Sequence, residues 1–305
     1  MQTRQTPPKL KPGDTIAIVA PARKISLEEL SPAIAIFESW GLKVFLHPLL
    51  FSTEHQFAGN DATRAQVFND CLNNPTVKAI ICARGGYGTV RIVDHLQLAN
   101  LSTQPKWIIG YSDITVLHSH IHQNTIATTV HATMPINMQA HNAHEASIAS
   151  LKQVLIGDDS SVYQEVPHTL NRFGDSQGVL VGGNLSVLYS LLGSVSDLDT
   201  TGKILFIEDL DEYLYHVDRM MQALKRAGKL TNLAGLVVGG MSDMKDNAIP
   251  FGRTAEQIIA ETVAEYSFPV CFNFPVGHQP DNRALIVGCV YQLQISSEKV
   301  SLKFS

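Results

Sequence analysis

Short apolar runs rich in β-branched residues alternate along this chain with longer segments whose apolar residues recur every three or four positions. That is the pattern of a sheet covered by helices. In the first half, runs at 15–20, 44–48, 79–83, 107–110 and 128–131 predict strands. Segments at 26–40, 61–72, 88–96 and 113–123 predict helices, with Ser26 and Asp61 as N-caps. The expected fold is a doubly wound parallel α/β sheet of Rossmann or flavodoxin type. A helix at 143–155 closes it, and the polar stretch 157–177, which contains Pro167 and Gly174, reads as the crossing to a second unit.

The second half is also mixed. Strands are expected at 179–181, 204–207, 233–238, 270–274 and through the tail 285–304, and helices at 185–192, 217–227 and 254–266. In 217–227, Val217, Met220, Met221 and Leu224 fall on one helical stripe, which predicts a core face rather than a cofactor site. The division this suggests is an N-terminal α/β domain at 1–158, a linker at 159–177 and a smaller mixed α/β domain at 178–305. The active site is expected between the two domains.

With 45% hydrophobic and 17% charged residues in 305, the chain can bury a sizeable core. Its net charge of -5 and lack of a basic run argue against nucleic acid as a partner. Met1–Pro8 holds no apolar signal core, and no apolar stretch is long enough to span a bilayer, so a cytoplasmic protein with no membrane role is expected. Cys71, Cys82, Cys271 and Cys289 are widely spaced and read as reduced core thiols.

Four constellations carry candidate chemistry. In Trp107-Ile108-Ile109-Gly110-Tyr111-Ser112-Asp113-Ile114, a strand meets a glycine and then a helix, which presents the Ser112 hydroxyl on a tight turn beside unpaired N–H groups. The match to G-x-S-x-G is incomplete, because Ile114 takes the second glycine's place. Arg84-Gly85-Gly86-Tyr87-Gly88 follows another strand, so its glycines either aim N–H groups at an anion or serve only to turn the chain. It fits neither the dinucleotide fingerprint nor the P-loop, and no cofactor is expected. Glu208-Asp209-Leu210-Asp211-Glu212 places four carboxylates after a strand, as a site or as a solvated loop. His278 lies on a Pro/Gly-bounded loop, where an imidazole can exchange protons or simply be exposed. His118, His120 and His122 invite a metal reading, but only the outer two share a helix face and no H-E-x-x-H is present, so no metal site is expected.

Together these supply a nucleophile, an acid and an imidazole in the chain order Ser, Glu, His. The sequence resembles the LD-carboxypeptidase family, serine peptidases that trim muropeptides and include the microcin-C immunity peptidases. The likeness runs through 10–14, 19–22, 83–88, 109–115, Gly182-Gly183-Asn184-Leu185, 208–212 with Asp218-Arg219, and Gly277-His278. It departs at Tyr111, where phenylalanine is common, and at 285–288, where Pro-Leu-Gly is more usual. The resemblance implies Ser112 as nucleophile, His278 as general base and then acid, Glu208 as its orienting carboxylate, and the N–H groups of Gly86 and Asp113 as the oxyanion hole. It also implies a small peptide substrate, a muropeptide cut before its terminal D-alanine, and a homodimer. A carboxypeptidase must also bind a free carboxylate. Arg84, beside the glycine loop, is the candidate, with a structural ion pair as its other reading. A peptidyl-nucleotide immunity peptidase, a non-catalytic two-lobed binding protein and a metal-dependent hydrolase are the competing functions.

Overall fold

The computed structural model describes residues 4–158 and 162–304. The first five strands are β1 (Thr15–Val19), β2 (Lys43–Leu46), β3 (Val77–Cys82), β4 (Trp107–Gly110) and β5 (Thr129–His131). They form one parallel sheet in the order β5-β4-β3-β1-β2. β4 is buried throughout and β1 and β3 nearly so, as strands covered on both faces must be. Helices α1 (Leu27–Ser39), α2 (Asp61–Asn73), α3 (Thr115–Asn124) and α4 (Glu145–Ile156) belong to this half. Ser26 caps α1 in a reciprocal box with Glu29, as expected of it. The cap of α2 is Asn60, one residue before the expected Asp61, and its carboxamide accepts from the Thr63 N–H.

Eight further strands follow: β6 (Val162–Glu165), β7 (Gly174–Asn184), β8 (Ile204–Leu210), β9 (Gly235–Ser242), β10 (Val270–Cys271), β11 (Leu285–Val287), β12 (Val290–Ile295) and β13 (Val300–Phe304). All but β11 make the second sheet, ordered β10-β9-β8-β7-β12-β13-β6. Its β7–β10 part is parallel and the rest antiparallel. The stretch read as a crossing therefore contributes β6 and the start of β7. Helices α5 (Leu185–Ser190), α6 (Leu214–Arg226) and α7 (Ala255–Thr262) cover this sheet. Val217, Met220, Met221 and Leu224 are buried in its core, as their spacing predicts.

Two further expectations need correction. The helix expected at 88–96 is a pair of 3-10 turns, Thr89–Arg91 and Val93–His95. The β-branched residues at 89, 90, 92 and 93 lower its helix propensity, and Gly88 enters at φ 142°, outside any helical conformation. In the tail, β11 leaves the second sheet and pairs antiparallel with β5 of the first, Leu285 opposite His131. The core is correspondingly shared: Trp107, Ile109 and Val130 join Phe206, Phe274 and Leu285 in one cluster. All four cysteines are buried and unbridged, and among the described residues no helix is long and apolar enough to cross a membrane.

Candidate active site

The Ser112 turn is built by exclusion. Ser112 has φ 65°, a left-handed conformation that a residue with a side chain adopts only when its surroundings enforce it. Gly110 precedes it because a Cβ there would lie 2.8 Å from the Ile114 side chain. The missing second glycine of the motif is supplied by another loop. A Cβ on Gly85 would lie 2.9 Å from the Ser112 Cβ and 3.3 Å from the Asp113 nitrogen, so only glycine lets the 85–88 loop close over the hydroxyl. The Gly86 and Asp113 N–H groups therefore belong to segments that meet beside Ser112.

The glycine loop is fastened from below by a residue that the sequence did not single out. Arg64, 2% exposed, donates through Nη1 to the carbonyls of Pro21 and Gly88 and pairs with Asp61. The Asp113 carboxylate accepts the Thr89 N–H at 2.9 Å, tying the turn that carries Ser112 to the same loop; its burial raises its pKa. A patterned cation inside an otherwise amphipathic helix was the available signal, and it is a weak one.

His278 Nε2 stands 3.1 Å from Ser112 Oγ, and its Nδ1 stands 2.7 Å from Glu208 Oε2. Three residues from two sheets thus form one hydrogen-bonded file. Glu208 is fully buried at the end of β8, and Gly277 is required beside it, since a Cβ there would sit 2.5 Å from the carboxylate. Burial alone would raise the Glu208 pKa and lower that of His278. Their mutual attraction outweighs it, so the carboxylate is held below its ordinary value and the imidazolium above. Beside His278, a cavity of about 520 Å³ opens between Tyr111, Asn137, His141, His144 and Gln279.

The other acidic residues part company with Glu208. Asp209, on the opposite strand face, accepts from Asn184 Nδ2 and the Ser186 N–H, each at 2.8 Å, and so caps α5; burial and the adjacent Glu208 push its pKa up to about 6. Asp211 pairs with Lys245 and Glu212 with His216. Asn184, which the sequence marked only as part of the family likeness, gains a structural role here. Its N–H donates to Thr115 Oγ1 at 3.0 Å, three residues beyond Ser112, and a Cβ on Gly183 would strike that oxygen.

Arg84 lies 3.6 Å from Glu29 and 3.4 Å from the Lys24 carbonyl, a quarter exposed, and is not among the residues lining the cavity beside His278. The three histidines of α3 have separate partners: His118 bonds Gly110 O and Thr129 Oγ1, His120 bonds Ser196, and His122 meets Arg4. Burial pushes His118 and His122 down to about 3.

Comparison with known proteins places the chain in a family. The LD-carboxypeptidase N-terminal domain matches residues 16–132 and the LD-carboxypeptidase C-terminal domain residues 177–293. A probable murein peptide carboxypeptidase of Bacillus subtilis is 36% identical over 288 residues, covering 92% of this chain and 89% of its own. The crystal structure of muramoyltetrapeptide carboxypeptidase from Oxalobacter formigenes superposes with a TM-score of 0.87 at 29% identity, over 94% of this chain and 97% of that one. The microcin C7 self-immunity protein shares the fold, with a TM-score of 0.86 at 21% identity over 98% of both chains. With both domains matched over most of its length, the chain belongs to the LD-carboxypeptidase family of hydrolases.

Proposed function

We propose that this protein is a serine carboxypeptidase that releases the terminal D-alanine of murein tetrapeptides, serving the recycling of peptidoglycan fragments. The observation that carries the reading is the Ser112–His278–Glu208 file, with contacts of 3.1 and 2.7 Å, in a chain of this family. His278 Nε2 takes the Ser112 proton as Oγ attacks the scissile carbonyl, while Glu208 holds the other ring nitrogen's proton and stabilises the imidazolium. The oxyanion is received by the Gly86 and Asp113 N–H groups, each worth about 3 kcal/mol in such sites. His278 then protonates the departing D-alanine amine. Water, deprotonated by the same ring, releases the acyl group from Ser112. Arg84 is the proposed partner of the substrate's terminal carboxylate, at the expense of its loose pairing with Glu29.

The test is incubation with L-Ala-γ-D-Glu-meso-diaminopimelate-D-Ala, with released D-alanine read by mass spectrometry. Wild type releases it, and Ser112→Ala falls by at least about 10⁴-fold in kcat while folding normally. Equal release by both proteins overturns the assignment of the nucleophile. Arg84→Met is expected to raise KM with kcat nearly unchanged. The likeness to the microcin C7 self-immunity protein carries the fold alone, so a peptidyl-nucleotide is the control substrate. A homodimer, as the family suggests, in the cytoplasm is the proposed setting, and sedimentation of the purified protein reads the oligomeric state.

A further inference from the structure

We infer that His131, Asn282 and Ser147 form a buried brace that sets the distance between His278 and Ser112, and are positioning residues for the reaction proposed above, on which this inference rests. Ser112 follows β4 of the first sheet and Glu208 lies on β8 of the second, whereas His278 lies on the loop that runs from β10 of the second sheet to β11 of the first. The Glu208–His278 bond fixes the ring only against the second sheet. The Ser242 hydroxyl does the same, donating to the His278 carbonyl from β9. Neither contact determines how far Nε2 stands from Ser112. That distance depends on what ties the 277–284 loop to the first unit.

Besides the Ser150–Ala284 bond and the pairing of β11 with β5, the ties nearest His278 converge on Asn282, which is 4% exposed. Its Oδ1 accepts the Gly277 N–H at 2.8 Å, which settles which end of the carboxamide faces that way. His131 Nε2 lies 3.2 Å from the same oxygen and must therefore be the protonated nitrogen, donating as the second partner. On the other side, the Asn282 N–H donates to Ser147 Oγ at 2.8 Å, and that hydroxyl donates to Pro280 O at 3.0 Å. His131 ends β5 and Ser147 lies on α4, so two elements of the nucleophile's unit grip the loop on both sides of one asparagine.

The His131 ring is fully buried, edge-on to Phe206 at 5.1 Å and to Tyr111 at 5.7 Å, and Tyr111 in turn packs 4.8 Å from the His278 ring. Burial holds His131 neutral, its pKa pushed down to about 4 even with Glu208 nearby. It is placed to hold the loop through a fixed tautomer, not to exchange protons with substrate. Catalysis is steep in such distances: a misplacement of about 1 Å can cost about 10²-fold.

The experiment compares His131→Leu, His131→Gln, Asn282→Leu, the His131→Leu/Asn282→Leu double variant and Ser147→Ala. Glutamine can return an N–H donor to the Nε2 position, and leucine cannot. His131→Leu and Asn282→Leu are expected to lose tenfold to a hundredfold in kcat with KM within twofold. His131→Gln should stay within about threefold of wild type. The double variant should be no slower than Asn282→Leu alone, because both changes break one linkage. Ser147→Ala, a substitution any helix accommodates, should lose severalfold in kcat. Wild-type kcat in His131→Leu, a glutamine variant as slow as the leucine variant, or multiplying losses would each overturn the brace. If the leucine variants fail to fold, wild-type kcat in Ser147→Ala overturns it. The rate at which a fluorophosphonate modifies Ser112, read by intact mass, should follow the same order and requires no peptide. Absence of D-alanine release from wild type, with labelling still ordered this way, therefore counts against the substrate and not against the brace.

Discussion

Ser112 is one of five non-glycine residues with positive φ among the described residues, and it is the one at the head of the file. A conformation of that kind costs on the order of 1–3 kcal/mol and persists only when neighbours over-determine it; here Gly85 and Gly110 make the room and the start of α3 fixes the direction. The opposite end of the file makes a prediction about pH. Glu208 raises the His278 pKa, so the stability contributed by the imidazolium–carboxylate pair is complete below the unfolded histidine value of about 6.5 and is lost as pH rises through the folded value. In the proposed mechanism activity runs the other way, since there the neutral ring is the base. The acid limb of kcat/KM should therefore be centred above about 6.5. Glu208→Gln should move it to lower pH and reduce kcat by about 10³–10⁴-fold. A limb that stays in place in the variant would show that the charge on Glu208 is not what sets it.

At the level of elements, the alternation of apolar strands with amphipathic helices was legible because each strand's burial is written in its own residues. The turns at 89–95 were misread because glycine and β-branched residues outweighed a periodicity that suggested helix. Of the candidate site, residue type and position pointed to Ser112, to a run of four carboxylates and to a loop histidine, His278; the choice of Glu208 among the four came from the family resemblance. Arg64, Asn282 and His131 could not be picked out, because what distinguishes them is a hydrogen bond to a segment far away in the chain. The glycine loop shows what such residues contribute. Arg64 holds both Pro21 and Gly88 by their carbonyls, and a Cβ on Gly88 would lie 2.8 Å from its Nη1. Arg64→Met keeps much of the apolar stem but frees two buried acceptors, which should cost about 2–3 kcal/mol of stability. It should also lower kcat more than it raises KM, since the loop carries Gly86. Denaturant unfolding and steady-state kinetics measure the two effects, and an unchanged kcat would show that the loop keeps its shape without the guanidinium.

Across the whole molecule, the feature least visible in the sequence is the return of the chain to its first sheet. β11 is three apolar residues with no turn or charge signal to say which sheet it joins, and its partner, β5, lies far upstream. Strand pairing at that separation is decided by what shape is left to fill, which no local window contains. The consequence is mechanical. Ser150 accepts the Ala284 N–H, Ser147 holds Pro280 and Asn282, and β11 covers the edge of β5, so 280–287 is built into the first unit although it follows the second in the chain. A fragment of residues 1–158 should therefore not fold as a native domain. It would leave β5 as an unpaired apolar edge and expose the face of Trp107, Ile109 and Val130 that Leu285, Phe206 and Phe274 cover. We expect the fragment to aggregate or to show poor chemical-shift dispersion, and the full chain to unfold in one calorimetric transition. A fragment with a sharp, reversible melt of its own would mean that the shared core is not needed to complete the first sheet, and the Ser112–His278 distance would then depend on how two independently folded bodies dock.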